Sequence, residues 1–118
     1  MSGIASYYAD SLAGRRTASG ERYDPRAFTA AHRTLPFGSI VRIVREDSGQ
    51  VVYARINDRG PFVRGRVVDL SRAAAEAVDM IRRGVVRVRL EVVERGAERP
   101  RRSRKPKKNA PRVKKRRP

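Results

Sequence analysis

Four titratable residues stand where a catalyst could use them. Asp58 closes the run Val52–Asn57 and opens Asp58-Arg59-Gly60-Pro61. By strict alternation its side chain shares the face of Val52, Ala54 and Ile56. A carboxyl at the edge of an apolar interior resists ionisation, which suits a general acid. An Asp that merely initiates a turn before Gly-Pro is the competing reading. His32 lies between Phe28-Thr29-Ala30-Ala31 and Arg33-Thr34-Leu35-Pro36, in the role of catalyst or of satisfied structural residue. Glu21 follows the small-residue loop Thr17-Ala18-Ser19-Gly20, and a solvated surface Glu is its ordinary reading. Asp69 precedes Leu70-Ser71, where it can act as an acid or favour the N-terminus of a following helix. Tyr7 and Tyr8, in Ala5-Ser6-Tyr7-Tyr8-Ala9-Asp10, offer rings that stack on sugar faces or pack as a pair.

Other chemistries are closed off by composition. The 118 residues contain no Cys and one His, so a thiolate zinc site, a Cys nucleophile, a disulfide scaffold and a multi-His metal site are excluded. No metal or cofactor is expected. No apolar run approaches the ~20 residues of a membrane-spanning helix. The start Met1-Ser2-Gly3-Ile4 shows no basic region followed by an apolar one, so the expectation is a cytosolic or a trimmed mature chain.

The elements that must position these residues are mostly short strands. Val86, Val88, Leu90 and Val92 alternate with Arg87, Arg89 and Glu91. Val52, Ala54 and Ile56 alternate with Tyr53, Arg55 and Asn57. Before them runs Ile40–Val44, and Asp47-Ser48-Gly49-Gln50 between the two predicts a hairpin turn. Further strands are expected at Val67–Leu70, Gly3–Tyr8 and Phe28–Ala31. One helix is predicted from Ala74, Ala77, Val78 and Ile81, with Ser71 as N-cap and Gly84 as stop. Short strands, one helix and Gly/Pro loops predict a small closed β-barrel. Gly38-Ser39-Ile40-Val41 and Gly84-Val85-Val86-Arg87 echo one another weakly, as two interlocked halves would.

Charge divides the chain. Of 29 Lys and Arg residues, 13 fall in residues 95–118, against one acid, Glu98. That segment is nearly free of apolar side chains, so it cannot bury enough surface to offset the entropy of ordering. Residues 1–94 therefore read as one domain, and 95–118 as a disordered polycationic tail able to bind an anionic polymer.

Five blocks in order carry a resemblance. They are Gly3–Tyr8, Thr17–Asp24, Phe28–Gly38, Val52–Phe62 and Val67–Ala75. The Thr29-Ala30-Ala31-His32 and Asn57-Asp58-Arg59-Gly60-Pro61 blocks are the specific ones. Over residues 3–93 the chain closely resembles the rare-lipoprotein-A (RlpA-like) family. The resemblance implies a six-stranded double-psi β-barrel with one short helix. It implies a bacterial septal lytic transglycosylase of the periplasm or cell envelope, acting on peptidoglycan glycan strands, often stripped of stem peptides. It assigns catalytic roles to Asp58, His32 and Glu21, and places Tyr7, Tyr8, Asp69 and Arg59 with the substrate. A monomer is expected. The sequence departs from the family in having no Cys to lipidate, and in carrying the basic tail where the family has a SPOR domain. Two other functions stay open at this point: a non-catalytic, expansin-like glycan-binding module, and an anionic-polymer or nucleic-acid binder working through the tail.

Overall fold

The computed structural model describes residues 1–97; the expected disorder of the basic tail lies, from residue 98 onward, outside the described residues. Six strands form: β1 (Ser2–Tyr7), β2 (Thr29–Ala31), β3 (Ile40–Arg45), β4 (Val51–Asp58), β5 (Arg66–Leu70) and β6 (Val86–Glu94). One helix, α1, spans Arg72–Ala77, and a single 3-10 turn spans Asp10–Leu12. The strands close into a barrel in the order β1-β5-β2-β4-β3-β6. Two of the pairings are parallel, β1 with β5 and β2 with β4. The echoing segments β3 and β6 lie side by side, antiparallel. This is the mainly-β closed barrel with one short helix that the alternating patterns predict.

The pattern of burial follows the period of two. Val52, Ala54 and Ile56 of β4 face the interior, as do Val86, Val88 and Leu90 of β6. They meet Val41 and Ile43 of β3 and Val68 and Leu70 of β5 in one apolar core. Burying a Val, Leu or Ile side chain contributes about 1.5–3 kcal/mol, so this core is the main support of the barrel. The β3–β4 hairpin turns where predicted, with Gly49 at φ 77°. Its amide donates to the Arg45 carbonyl at 2.7 Å.

The helix is shorter than its apolar spacing predicts. Ser71 caps it, its hydroxyl accepting from Ala74 N–H. The same hydroxyl donates to the Ala27 carbonyl at 2.6 Å, which ties the cap to the segment entering β2. The helical ladder breaks after Ala77. Asp79 takes φ 57°, and the buried Arg45 guanidinium donates to the Val78 and Asp79 carbonyls at 2.9 and 2.8 Å. Arg45 thus supplies the partners that further helix would have given those carbonyls. Ala77 is consequently exposed, and the buried set is Ala74, Ala75, Val78 and Met80.

Candidate active site

Asp58 is aimed by a bulge, not by plain alternation. Ala30 of β2 stands opposite Ile56, but Ala31 stands opposite Asp58, so Asn57 is the extra residue on β4. Bulges of this kind redirect the following side chain and recur beside active sites. Asn57 is buried and Asp58 is half-buried at the end of the barrel. The apolar surroundings expected for the Asp58 carboxyl are therefore absent, and three donors take their place. Oδ1 accepts from Ala18 N–H and from Arg59 N–H, both at 2.8 Å. Oδ2 accepts from the Tyr8 hydroxyl at 2.5 Å.

Tyr8 is positioned by the strand before it and by a ring behind it. Its amide donates to the Leu70 carbonyl at 3.0 Å, continuing the β1–β5 pairing past Tyr7. Its ring stacks on buried Tyr23 with centroids 4.4 Å apart. The Tyr23 hydroxyl accepts from the Arg72 amide at the start of α1. Burial, and then the Asp58 carboxylate, push the Tyr8 phenol far above its ordinary range. Tyr8 therefore remains a proton-bearing donor at any working pH. Tyr7, by contrast, points to the helix side, its hydroxyl donating to the Ile81 carbonyl at 2.8 Å. Of the two tyrosines, only Tyr8 touches the candidate acid.

His32 approaches Asp58 only through its backbone, its N–H donating to the Asp58 carbonyl at 3.1 Å. Its side chain makes no bond to Asp58, because the ring is used elsewhere. Nδ1 accepts from the amides of Thr34 and Leu35, both at 3.1 Å, which assigns the proton to Nε2. Nε2 faces Met1 Sδ at 3.1 Å. Burial, with Arg33 and Arg59 nearby, holds the ring below its ordinary pKa of 6.5. A neutral ring is what the two converging N–H groups require. His32 thus pins the 33–35 turn.

Arg59 reinforces that turn. Its guanidinium donates to the His32 and Leu35 carbonyls at 3.1 and 2.8 Å and lies 3.9 Å over the Phe37 ring. Glu21 is clamped by a two-pronged pairing with Arg55 at 2.7 and 3.1 Å, and by Asn57 Nδ2 at 2.9 Å. The Arg55 bond holds the Glu21 carboxyl below the usual carboxylate range. Glu21 is thereby a fixed anion braced against the bulge residue. Asp69 accepts from the Ser6 hydroxyl across β1–β5 and stands opposite Ala31. Ala31 is thus the common neighbour of Asp58 and Asp69, which places the two acids two strands apart, ~10 Å between backbones.

Beside Asp58 opens a cleft of about 120 Å³ lined by Tyr8, Arg15, Arg16, Thr17, Tyr23 and Asp58. Residues 14–23 form its wall as a small hairpin-like loop. Gly14 N–H donates to the Tyr23 carbonyl at 2.9 Å, Tyr23 N–H to the Arg15 carbonyl at 2.7 Å, and Thr17 N–H to the Glu21 carbonyl at 2.7 Å. Sequence reading missed Tyr23, Arg15 and Arg16 here. They are brought together by the pairing of Gly14 with Tyr23, across a loop too irregular to read as strand from its residues. Among the described residues no group of three or more His, Cys, Asp or Glu could hold a metal ion. Also among them, no helix is long and apolar enough to cross a membrane.

A family model described as lytic transglycolase matches residues 1–90. A probable endolytic peptidoglycan transglycosylase RlpA of Nostoc sp. is 58% identical over 95 residues, covering 79% of this chain and 26% of that protein. The endolytic peptidoglycan transglycosylase RlpA of Campylobacter jejuni is 47% identical over 91 residues, 77% of this chain and 33% of that protein. That of Neisseria meningitidis serogroup A is 44% identical, covering 85% and 42%. The chain therefore spans between a quarter and about two fifths of the length of these relatives. Among solved structures, the Streptomyces papain inhibitor has TM-score 0.59 at 24% identity, covering 76% of this chain and 92% of its own. The expansin of Clavibacter michiganensis has TM-score 0.62 at 18% identity, covering 81% and 51%. Both share the fold. A match that runs through all the strands but the last few residues of β6, and takes in Glu21, His32, Asp58 and Asp69, means that the chain belongs to the RlpA-like, double-psi β-barrel family of lytic transglycolases.

Proposed function

We propose that the barrel cleaves peptidoglycan glycan strands between N-acetylmuramic acid and N-acetylglucosamine without water, leaving 1,6-anhydro ends. The observation that carries this reading is the Asp58 carboxylate at the cleft mouth. Oδ1 is held by two main-chain N–H groups, while Oδ2 has one rotatable partner, Tyr8. Oδ2 is therefore the oxygen free to carry and exchange a proton. Protonated Asp58 gives that proton to the bridging oxygen, and the bond from it to C1 of the muramic sugar breaks. Positive charge develops at C1. The Asp58 carboxylate then takes the proton of the same sugar's C6 hydroxyl as that oxygen bonds to C1. One proton leaves Asp58 and one returns, so the residue ends as it began. The Tyr8 hydroxyl donates to Oδ2 while it is ionised and can rotate when it is not.

The other residues act on this one. Arg59 and His32 fix the turn beside it, and Glu21 braces Asn57 of the bulge; we read all three as positioning residues. Asp69, held by Ser6, is the second carboxylate that a hydrolytic course would need, inverting pairs lying ~6.5–9.5 Å apart. The register makes that separation reachable, so product analysis separates the two courses. On this reading the place of work is the cell envelope, the protein acts as a monomer, and residues 95–118 add affinity for anionic polymer. The test is mass spectrometry of purified sacculi after incubation with the protein. Anhydromuramyl ends support lytic cleavage, hydrated reducing ends support hydrolysis, and bound but uncut strands leave only a binding module.

A further inference from the structure

The cleft beside Asp58 holds a cation with no side-chain partner among the described residues. Arg15 and Arg16 both line it. Arg16 is engaged, its guanidinium donating to the Gly20 carbonyl at 2.7 Å. Among the described residues, no carboxylate or carbonyl accepts from the Arg15 guanidinium. Several other arginines are paired: Arg42 with Glu91, Arg45 with Asp47, Arg55 with Glu21, Arg72 with Asp10 and Glu76. Arg64, Arg66, Arg82 and Arg89 share the lack of a side-chain partner among the described residues, but none of them lines this cleft. Nor is Arg15 on a loose segment. Its N–H donates to Leu12, and its carbonyl accepts from Tyr23. Tyr23 stacks on Tyr8, and Tyr8 bonds Asp58. The backbone that carries the guanidinium is thus registered to the candidate acid through two rings.

We propose that Arg15 reads a carboxylate on the substrate, in the cleft beside the bond that Asp58 attacks. The inference rests on the proposed glycan cleavage. A guanidinium offers a planar fork that matches a carboxylate with two parallel N–H bonds. A cavity of ~150 Å³ holds one benzene-sized group, so about 120 Å³ suits a short substituent. On a peptidoglycan strand such a carboxylate has two sources. One is the lactyl ether of muramic acid, which is anionic only where no peptide is joined to it. The other is a carboxylate of an attached peptide. The lactyl group is the shorter and the nearer to the scissile bond.

The test is calorimetric binding to the full chain carrying Asp58→Asn, which prevents turnover, with Arg15→Gln, Arg15→Lys or Arg89→Gln added. Four ligands are compared: a peptide-free strand, the same strand with its carboxyls converted to methylamides, a strand still bearing peptides, and a neutral N-acetylglucosamine oligomer. The basic tail is common to all variants. The carboxylate strand is expected to bind roughly tenfold or more tightly than its methylamide, as a charge-assisted pair gives. Arg15→Gln should narrow that gap to what the basic segment alone sustains, Arg15→Lys keep part of the difference, and Arg89→Gln on β6, outside the cleft lining, leave the gap intact. A peptide-bearing strand that binds like the methylamide assigns the lactyl group; one that binds like the free strand assigns a peptide carboxylate to the same Arg15. A gap that Arg15→Gln leaves unchanged, or strands that bind without any gap, overturns the inference alone. If none of the four ligands binds, the glycan reading itself fails and the inference with it.

Discussion

Tyr8 and Asp58 are fifty residues apart in the chain and 2.5 Å apart in the fold, hydroxyl to carboxylate. The contact joins the strand that opens the barrel to the bulged strand that carries the candidate acid. It is held from behind by the stack of Tyr8 on Tyr23.

Tyr8→Phe removes the donor and keeps the stack. A hydrogen bond to a charged group contributes about 1.5–3 kcal/mol. The rate of anhydromuramyl release should fall roughly ten- to hundredfold, with little change in KM. An unchanged kcat would show that Asp58 needs no second partner on Oδ2.

Asp58→Asn should leave the barrel folded. The amide oxygen still accepts from Ala18 and Arg59, and the amide nitrogen can donate to a rotated Tyr8 hydroxyl. Proton transfer is lost, and general acid–base groups contribute ~10²–10⁴-fold. Here one group serves both transfers, so the loss belongs at the upper end. Wild-type product release from a variant with native circular dichroism would reduce Asp58 to a turn residue. His32→Ala should lower the rate less than Asp58→Asn, since the ring acts through the 33–35 turn.

Stability should fall on the acid side in two stages. The His32 pKa is lower in the folded protein than its ordinary 6.5. As pH drops, the unfolded chain therefore takes that proton first. The stabilisation is complete above 6.5 and is lost as pH falls through the folded value. Glu21 is likewise depressed from 4.5, so its contribution is complete above 4.5 and disappears below. Melting temperature against pH should bend in both windows. Glu21→Gln should remove only the lower bend, and a ¹⁵N spectrum should show His32 protonated on Nε2 at neutral pH. A Tm that is flat from pH 7 to 5 would contradict the buried, accepting Nδ1.

Gly96 refines where the domain can be cut. Its N–H donates to Ser39 Oγ at 2.9 Å, and an added Cβ would lie 2.3 Å from the Phe37 carbonyl oxygen. Truncation after Ala97 should leave Tm unchanged, while truncation after Glu94 or Gly96→Ala should cost about 1 kcal/mol. Cutting after Ala97 should also flatten the salt dependence of binding to an anionic polymer, if the basic segment supplies it. An equal Tm for both truncations would make residues 95–97 dispensable.

The barrel was legible because β4 and β6 alternate cleanly and because Gly49 marks its turn. The helix length was not, since it is set by Arg45, which lies 27 residues before the helix begins. Asp58 was found by its place beside Gly-Pro, but its environment was misjudged. Alternation places it inside, and only the pairing with the three-residue β2 reveals the bulge at Asn57. His32 was found as a residue and not as a contact, because nothing local says that its ring will fold onto the amides of Thr34 and Leu35. Arg15 carried no signal of its own: in a chain with this many arginines, what distinguishes it is its place in the cleft beside Asp58.

The two parallel pairings have a consequence for kinetics. Ser6 must find Asp69, and Ala31 must find Asp58, before the sheet can close. Neither meeting is served by a tight turn, so chain entropy is spent on wide loops ahead of any return in contacts. Domains dominated by such distant partners assemble in milliseconds to seconds, while those with near neighbours take microseconds to milliseconds. Here the last strand made, β6, is also the one that seals β1 to β3. A newly synthesised chain thus exposes an open sheet edge until residue 94 is available.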